Sequence, residues 1–436
     1  MPNWYTEMGN KTPKTARIAQ WESPEMSRGE LQGPLAGLKV IEMGSFIAGP
    51  FCGQLLADFG ADVVKLEPPG TGDAMRQWGV AKRDGKSLWW PVIARNKQSV
   101  TLDLRQPEGR EIARRLIAEA DVLVENFRPG TLEDWGLGPD VLKARNPGLI
   151  VARVSGFGQT GPYAKRAGFG SVAEAMAGMR GLAGFPDRPP PRVGLSIGDS
   201  LAGVFGAMGV LLALRTRDAG ASPKGADGKG RGQVVDVAIT ESVMAVLESV
   251  ISEYSGTGNL RGRTGSILPG VAPSNLYPTA DGTWILIGAN ADGIFRRLAV
   301  AMGEPELGSD ERYATHAARG RHQDELDDRI AAWTVRHGLD HLVTLLEAHG
   351  VPAGPVNDAA GVVGDAHLKE REAVIEVETA DFGTIAMQGV APRLSDTPGG
   401  VAWAGPALGE HTDAVLRCRL GLADADIADL RARRII

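Results

Sequence analysis

The sequence predicts an α/β protein: a doubly wound parallel sheet in a large domain, with a smaller α/β domain attached. Three observations point there. Short apolar strand patterns alternate with helical ones from Leu38 to Val154. Strand, helix and strand follow one another between Lys39 and Leu66, a span that fits a βαβ unit with its parallel pairing and right-handed crossover. Composition then shifts over Asn259 to Pro278 towards Gly, Arg and Pro, after which a second alternating unit begins.

Taken in order, Lys39 to Met43 reads as a strand, Pro50 to Phe59 as the helix packed on it, and Asp62 to Leu66 as the next strand. Ser99 to Leu104 reads as extended. Pro107 to Ala120 reads as helical with proline in the first turn, and Val122 to Glu125 and Leu149 to Val154 as extended. Gly170 to Arg217 is mostly helical, broken by Pro186-Asp187-Arg188-Pro189-Pro190-Pro191, whose consecutive prolines cannot sit inside a helix. The second helical stretch opens at Gly198-Asp199-Ser200. An exposed loop (Asp218 to Gly232), a strand (Gln233 to Val237) and a helix (Thr240 to Tyr254) follow. Beyond the linker, Thr283 to Gly288 is a strand, with helices near 294–302, 323–335 and 339–348, which place a small domain at about 265–365. Thr384 to Gln388 and a terminal helix from Asp424 to Arg433 are expected to return to the first domain. The resulting division is an N-terminal arm (1–33), a large α/β domain (34–255), a linker and small α/β domain (256–375) and a returning C-terminal segment (376–436).

The bulk properties narrow the function. The chain has 436 residues, and its net charge of −6 argues against a nucleic-acid partner. Its two cysteines, Cys52 and Cys418, form neither a disulfide framework nor a zinc motif, which suits a reducing cytoplasm and no metal. The arm carries four basic and four acidic residues and no apolar run, unlike a secretory signal. No stretch is read as approaching the roughly 20 apolar residues of a membrane span, so no membrane partner is expected.

Among local motifs, Asp84-Gly85-Lys86-Ser87 holds the end of a phosphate loop, but Val80 stands where the upstream glycine belongs. Gly44 and Gly49 do not make a dinucleotide-binding loop. All seven histidines lie at or beyond His316, so chemistry in the first domain must do without imidazole. Cys52, on the first helix among apolar neighbours, reads as a buried thiol. Two carboxylates stand out. Asp199 opens a helix with a small-residue face, Ala202-Gly203-Val204-Phe205-Gly206-Ala207, and a helix N-terminus favours the ionised, nucleophilic form. Local sequence alone favours a helix cap or first-turn acid for Asp199 and a turn residue for Asp187. Glu174 lies in a small-residue helix and reads as either buried or exposed.

Several stretches together resemble the class III CoA-transferases, the family of formyl-CoA and carnitine CoA-transferases. They are Pro34 to Glu42, Phe59 to Glu67, Pro69 to Asp73, Asn96 to Ser99, Asp121 to Gly130, Gly156 to Gln159, Gly184 to Pro190, Gly198 to Ser200 and Leu408 to Thr412. The resemblance implies a Rossmann-like large domain, an interlocked homodimer, and an enzyme that moves CoA between a thioester donor and a free carboxylic acid. It assigns the nucleophile to Asp199, acting through an aspartyl anhydride and an aspartyl–CoA thioester. It assigns CoA contacts to Ala48, to Leu102, Asp103, Leu104 and Arg105, to Asn126, Phe127 and Arg128, and to Arg166, Ala167, Gly168 and Phe169. Arg105 and Arg166 become partners for the nucleotide phosphates. CoA is then a substrate, with no permanently bound cofactor. Amides of Gly265 to Gly270 are candidate oxyanion donors, and Arg188 and Arg192 suit a second carboxylate of a dicarboxylic acid. Three positions depart from formyl-CoA transferase: Ile47 replaces a glutamine, and Pro68 and Asp134 replace CoA-contacting arginines. The α-methylacyl-CoA racemases resemble the chain too, but their catalytic histidine position is Phe169 here. A non-catalytic CoA- or nucleotide-binding protein is the alternative of another class.

Overall fold

The structure, a computed structural model, describes residues 33–223 and 230–436. The expected N-terminal arm therefore lies outside the described residues except for Gly33, as does part of the 218–232 loop. The strands of the first part are β1 (Lys39–Glu42), β2 (Asp62–Glu67), β3 (Lys82–Arg83), β4 (Lys86–Ser87), β5 (Lys97–Thr101), β6 (Val122–Glu125), β7 (Ile150–Ser155) and β8 (Val234–Ala238). Six of them form one parallel sheet in the order β5-β2-β1-β6-β7-β8. The doubly wound α/β fold is thus present, and its direction of growth reverses between β1 and β6. β3 and β4 are a small hairpin. Asp84 and Gly85, with φ of 51° and 77°, form its two-residue turn, so the GKS tripeptide belongs to a hairpin and not to a phosphate loop.

Strand residues alternate cleanly between two cores. Ile41, Val64, Val100, Leu123 and Val151 face one side, while Val40, Val63, Val122, Val124, Ile150 and Ala152 face the other. Two helices serve the second core, α1 (Ala48–Asp58) and a longer one described below, while α2 (Pro107–Ala118) covers the first. After β7 come α3 (Gly170–Met176), α4 (Met179–Leu182) and α5 (Ile197–Asp218), the helix that lies against α1. The contact depends on missing side chains: a Cβ on Gly203 would sit 2.8 Å from Phe51, and one on Gly206 would sit 3.2 Å from the Cys52 sulfur. Each fully buried branched residue in these cores contributes about 1.5–3 kcal/mol. Burial, followed by Glu42, pushes the Cys52 thiol up to about 12, so it is unreactive.

The expected single helix over Thr240 to Tyr254 is two, α6 (Ile239–Met244) and α7 (Val250–Thr257). The chain between them passes through a left-handed residue, Glu248 at φ 52°, which no helix accommodates. β5 lies two to three residues earlier than expected because the chain leaves the sheet at Leu102, whose side chain enters the core. The expected linker also ends early. Its last residues form β9 (Ser274–Pro278), which pairs antiparallel with β10 (Trp284–Gly288), itself flanked by β11 (Ala353–Pro355). With α8 (Asp292–Ala301), α9 (Gln323–Thr334) and α10 (Leu339–Ala348) these enclose a separate core around Tyr277, Phe295, Ile330 and Leu342. A hairpin of β12 (Val374–Thr379) and β13 (Gly383–Gln388) follows. Then α11 (Thr412–Leu420) and α12 (Asp424–Ala432) pack Val415, Leu416, Ile427 and Leu430 into the first core.

One expectation needs correction. Among the described residues α5 is long and apolar enough, by length and composition, to cross a membrane. Glycines and alanines, not large apolar residues, make up its inner face, where Ala202, Gly206, Val210 and Ala213 are buried against the sheet and α1, so the run does not stand out as an apolar stretch in the sequence.

Candidate active site

Parallel strands bring their following loops to one edge, and a doubly wound sheet leaves a crevice there where the strand order reverses. Here that point is between β1 and β6. Asn126, just after β6, donates to the Ser45 carbonyl and accepts from the Ser45 amide, both at 2.8 Å, and so ties the two loops together. Gly44 and Gly49 allow this, since a Cβ on either would sit 3.0–3.2 Å from the asparagine side chain.

The CoA-contact residues read from the sequence all follow strands at this edge. Ala48 opens α1 after β1, Leu102 to Arg105 follow β5, Asn126 to Arg128 follow β6, and Arg166 to Phe169 follow β7. Their side chains differ in availability. Leu102 is sealed in the core and Phe127 packs on Trp135, leaving mainly backbone to face a ligand. Arg105 grips Asp103 through Nε at 2.8 Å and Nη2 at 3.0 Å, which holds the Asp103 carboxyl below its usual range. Arg166 is exposed and stacks 3.7 Å above the Tyr163 ring. Arg128 is exposed with no carboxylate partner among the described residues. Pro68 and Asp134 are both exposed. Ile47 is buried with Met75, Trp90 and Ile93 and serves packing.

Asp199 lies in the first turn of α5, after Ser196 at the cap position. Its carboxylate rests against the start of α3, where a Cβ on Gly170 would come within 2.3 Å of Oδ2. Among the described residues it makes no hydrogen bond, so its lone pairs are available for attack. Burial first, and the neighbouring Glu174 second, push it up to about 6, while Arg192 opposes them. Glu174 is fully buried, with Oε2 at 3.2 Å from Arg180 and Oε1 accepting from the Gly198 amide at 3.4 Å. Phe169 precedes Gly170 and meets Phe46 edge-on at 6.2 Å, so the loops after β1 and β7 converge one residue from the Asp199 contact. As an exposed aromatic, Phe169 offers no proton-transfer group.

Other placements are plainer. Asp187 is exposed and loosely paired with Arg188 at 3.9 Å. The amides of Gly265 and Gly270 already donate to the Gly184 carbonyl and to Gln323 Oε1, at 2.9 and 3.1 Å, so neither is a free oxyanion donor.

Sequence reasoning missed the charge network beneath the edge. Lys65 joins Glu42 and Asp73 at 2.8 Å each and donates to the Gly44 carbonyl at 2.7 Å, while Lys97 meets Glu42 at 2.7 Å. Burial works against each charge, but Asp73 and Glu42 outweigh it at Lys65 and raise that ammonium, and Lys65 holds Asp73 low. Asp73 also accepts from the amide of Phe46, a residue at φ 64° that strain would otherwise release. A charge inside an apolar strand run, as in Val63-Val64-Lys65-Leu66, was the available signal.

Comparison with known proteins agrees in sequence and in structure. The family described as CoA-transferase family III matches residues 35–412. A succinyl-CoA–D-citramalate CoA-transferase of Chloroflexus aurantiacus is 58% identical over 403 residues, covering 92% of this chain and 98% of that protein. The beta subunit of a succinyl-CoA–L-malate CoA-transferase from the same organism is 43% identical over 406 residues, covering 92% and 98%. The crystal structure of a CAIB/BAIF family protein from Brucella suis superposes with a TM-score of 0.77 at 36% identity, covering 88% of this chain and 98% of that one.

Proposed function

The chain belongs to CoA-transferase family III, and from that premise we propose that Asp199 moves CoA from succinyl-CoA to a second dicarboxylic acid. Transfer of CoA between a thioester and a carboxylic acid is the enzyme's activity. The particular substrates rest on the two relatives named above, whose donors and acceptors are succinyl-CoA, citramalate and malate, all derived from dicarboxylic acids. The observation that carries the reading is the Asp199 carboxylate: partly desolvated, free of hydrogen bonds among the described residues, and beside the converging loops at the sheet edge.

The chemistry follows from that group. Asp199 attacks the thioester carbonyl, the C–S bond breaks, and CoA thiolate leaves an aspartyl–succinyl anhydride. The thiolate then attacks the aspartyl carbonyl, releasing succinate and forming an aspartyl–CoA thioester. The acceptor carboxylate attacks that thioester to give a second anhydride, and returning thiolate takes the acceptor acyl group and frees Asp199. Each step exchanges acyl bonds of similar transfer potential, so no ATP is needed. A carboxylate with a raised pKa is a stronger nucleophile yet is still ionised near neutrality. Arg128 and Arg166 are exposed and, having no carboxylate partner among the described residues, would meet CoA phosphates without first losing one.

We also propose a homodimer. The outer face of α5 exposes Val204, Met208, Leu211 and Leu212, a stripe at helical spacing.

Intact-mass measurement after mixing with succinyl-CoA, with hydroxylamine trapping, tests the function. A succinyl- or CoA-sized adduct mapping to Asp199 is expected. Asp199→Ala is expected to fold and to lose exchange by on the order of 10⁴-fold or more. An adduct on another residue, or retained turnover in Asp199→Ala, rejects the assignment.

A further inference from the structure

The segment between α3 and α5 carries three arginines near the nucleophile, Arg180, Arg188 and Arg192. Their partners separate them. Arg180 is committed to the buried carboxylate of Glu174 at 3.2 Å. Arg188 faces Asp187 and lies over the Phe185 ring at 5.5 Å. Among the described residues Arg192 alone of the three has no carboxylate partner, and its one polar contact there is Nη2 to the Ser196 hydroxyl at 3.0 Å, three residues before Asp199. We propose that Arg192 is the specificity-determining residue of the site: it binds the distal carboxylate of a dicarboxylic acyl group while the proximal one reacts at Asp199. The inference rests on the CoA-transfer reading above and deepens it to a substrate class.

The charge balance demands such a group. The free carboxylate of succinyl-CoA arrives as an anion at a site that already holds ionised Asp199 and Glu174. Arg180 offsets Glu174, so without a further cation the donor's distal carboxylate would meet a net negative charge. Arg192 is the cation whose field reaches Asp199, and an exposed guanidinium with vacant donors is suited to bidentate capture of a carboxylate.

Its position is also built. Gly184, at φ 89°, has no Cβ to clash with Pro191, from which an added Cβ would stand 2.5 Å, so the proline loop folds back on itself. Arg263 donates to the carbonyls of Phe185, Pro186 and Arg188 at 2.9–3.1 Å, and the Gly265 amide donates to Gly184. The loop that delivers Arg192 is therefore held at its base by the 263–265 segment, and little ordering remains for the ligand to impose.

The test is isotope exchange between succinyl-CoA and labelled succinate, run at pH 8 so that Asp199 is ionised in every variant. Arg192→Gln is expected to raise KM for succinate about 10- to 100-fold, with kcat within about threefold, and Arg192→Lys is expected to recover part of the loss. Acceptance of butyrate, which has no distal carboxylate, is expected to change less than twofold relative to whatever the wild type shows. An unchanged succinate KM in Arg192→Gln overturns the proposal, as does a fall in kcat at constant KM. If instead the wild-type protein forms no adduct with succinyl-CoA and exchanges no label, the CoA-transfer reading of Asp199 fails first. The two failures are thus told apart by the wild-type control, and unfolding curves confirm that both variants are folded.

Discussion

At the scale of single residues the site is an argument about one proton. Asp199 must be ionised to attack, and it is pushed up to about 6 by burial first and Glu174 second. The acid limb of kcat/KM against pH is therefore expected near 6, with activity rising through it to a plateau. Glu174→Gln removes the second cause and keeps an acceptor for the Gly198 amide, so the limb is expected to move to lower pH; an unmoved limb rejects the coupling. Stability carries the opposite sign. A carboxyl whose folded pKa lies above its unfolded value of 3.8 stabilises the fold below about 4, and that contribution is lost as pH rises through 6. Asp199→Asn is then expected to be more stable than wild type at pH 8, by about 1–2 kcal/mol after allowing for partial exposure, with the gap closing towards pH 4. Denaturant titrations at the two pH values measure it. None of this was legible from the local sequence, which favours a helix cap for Asp199. The family resemblance singles it out, and the convergence of α3 on α5, permitted by Gly170, supplies the burial behind the shift.

At the scale of elements, the strands and helices of the sheet were legible because their apolar periods are strong and their turns are marked by Gly and Pro. Where the reading slipped, a tertiary contact had overruled the pattern: Leu102 turning into the core, or Glu248 breaking one expected helix into two. The Lys65 network escaped for a related reason. Strand alternation shows which way a side chain points but not whether a charge there is paired. That pairing is a strong constraint, since Lys65 is the shared partner of Glu42 and Asp73 and holds the Gly44 carbonyl. Lys65→Met leaves buried Asp73 without its cation, while Glu42 keeps Lys97, and is expected to cost about 3–5 kcal/mol. The loss is expected to shrink in Lys65→Met with Asp73→Asn, because the stranded charge is gone. A cost under 1 kcal/mol for the single variant shows that water reaches the network.

For the whole molecule, the decisive feature is that the nucleophile and the unpartnered apolar stripe share α5. The inner face of this helix holds its place through Gly203 and Gly206 against α1, while its outer face leaves Val204, Met208, Leu211 and Leu212 uncovered. If a second copy covers that face, sedimentation is expected to give twice 46.0 kDa at micromolar concentration, with no monomer on dilution to the nanomolar range. Leu212→Glu together with Met208→Glu is expected to yield monomer and to weaken exchange. Weakened exchange follows because the stripe starts one turn beyond Asp199, so fraying of α5 reaches the carboxylate. A wild-type monomer with full activity rejects the dimer. A protein that instead partitions onto lipid vesicles assigns the stripe to a membrane surface, the other environment in which a helix of this length and apolarity is stable.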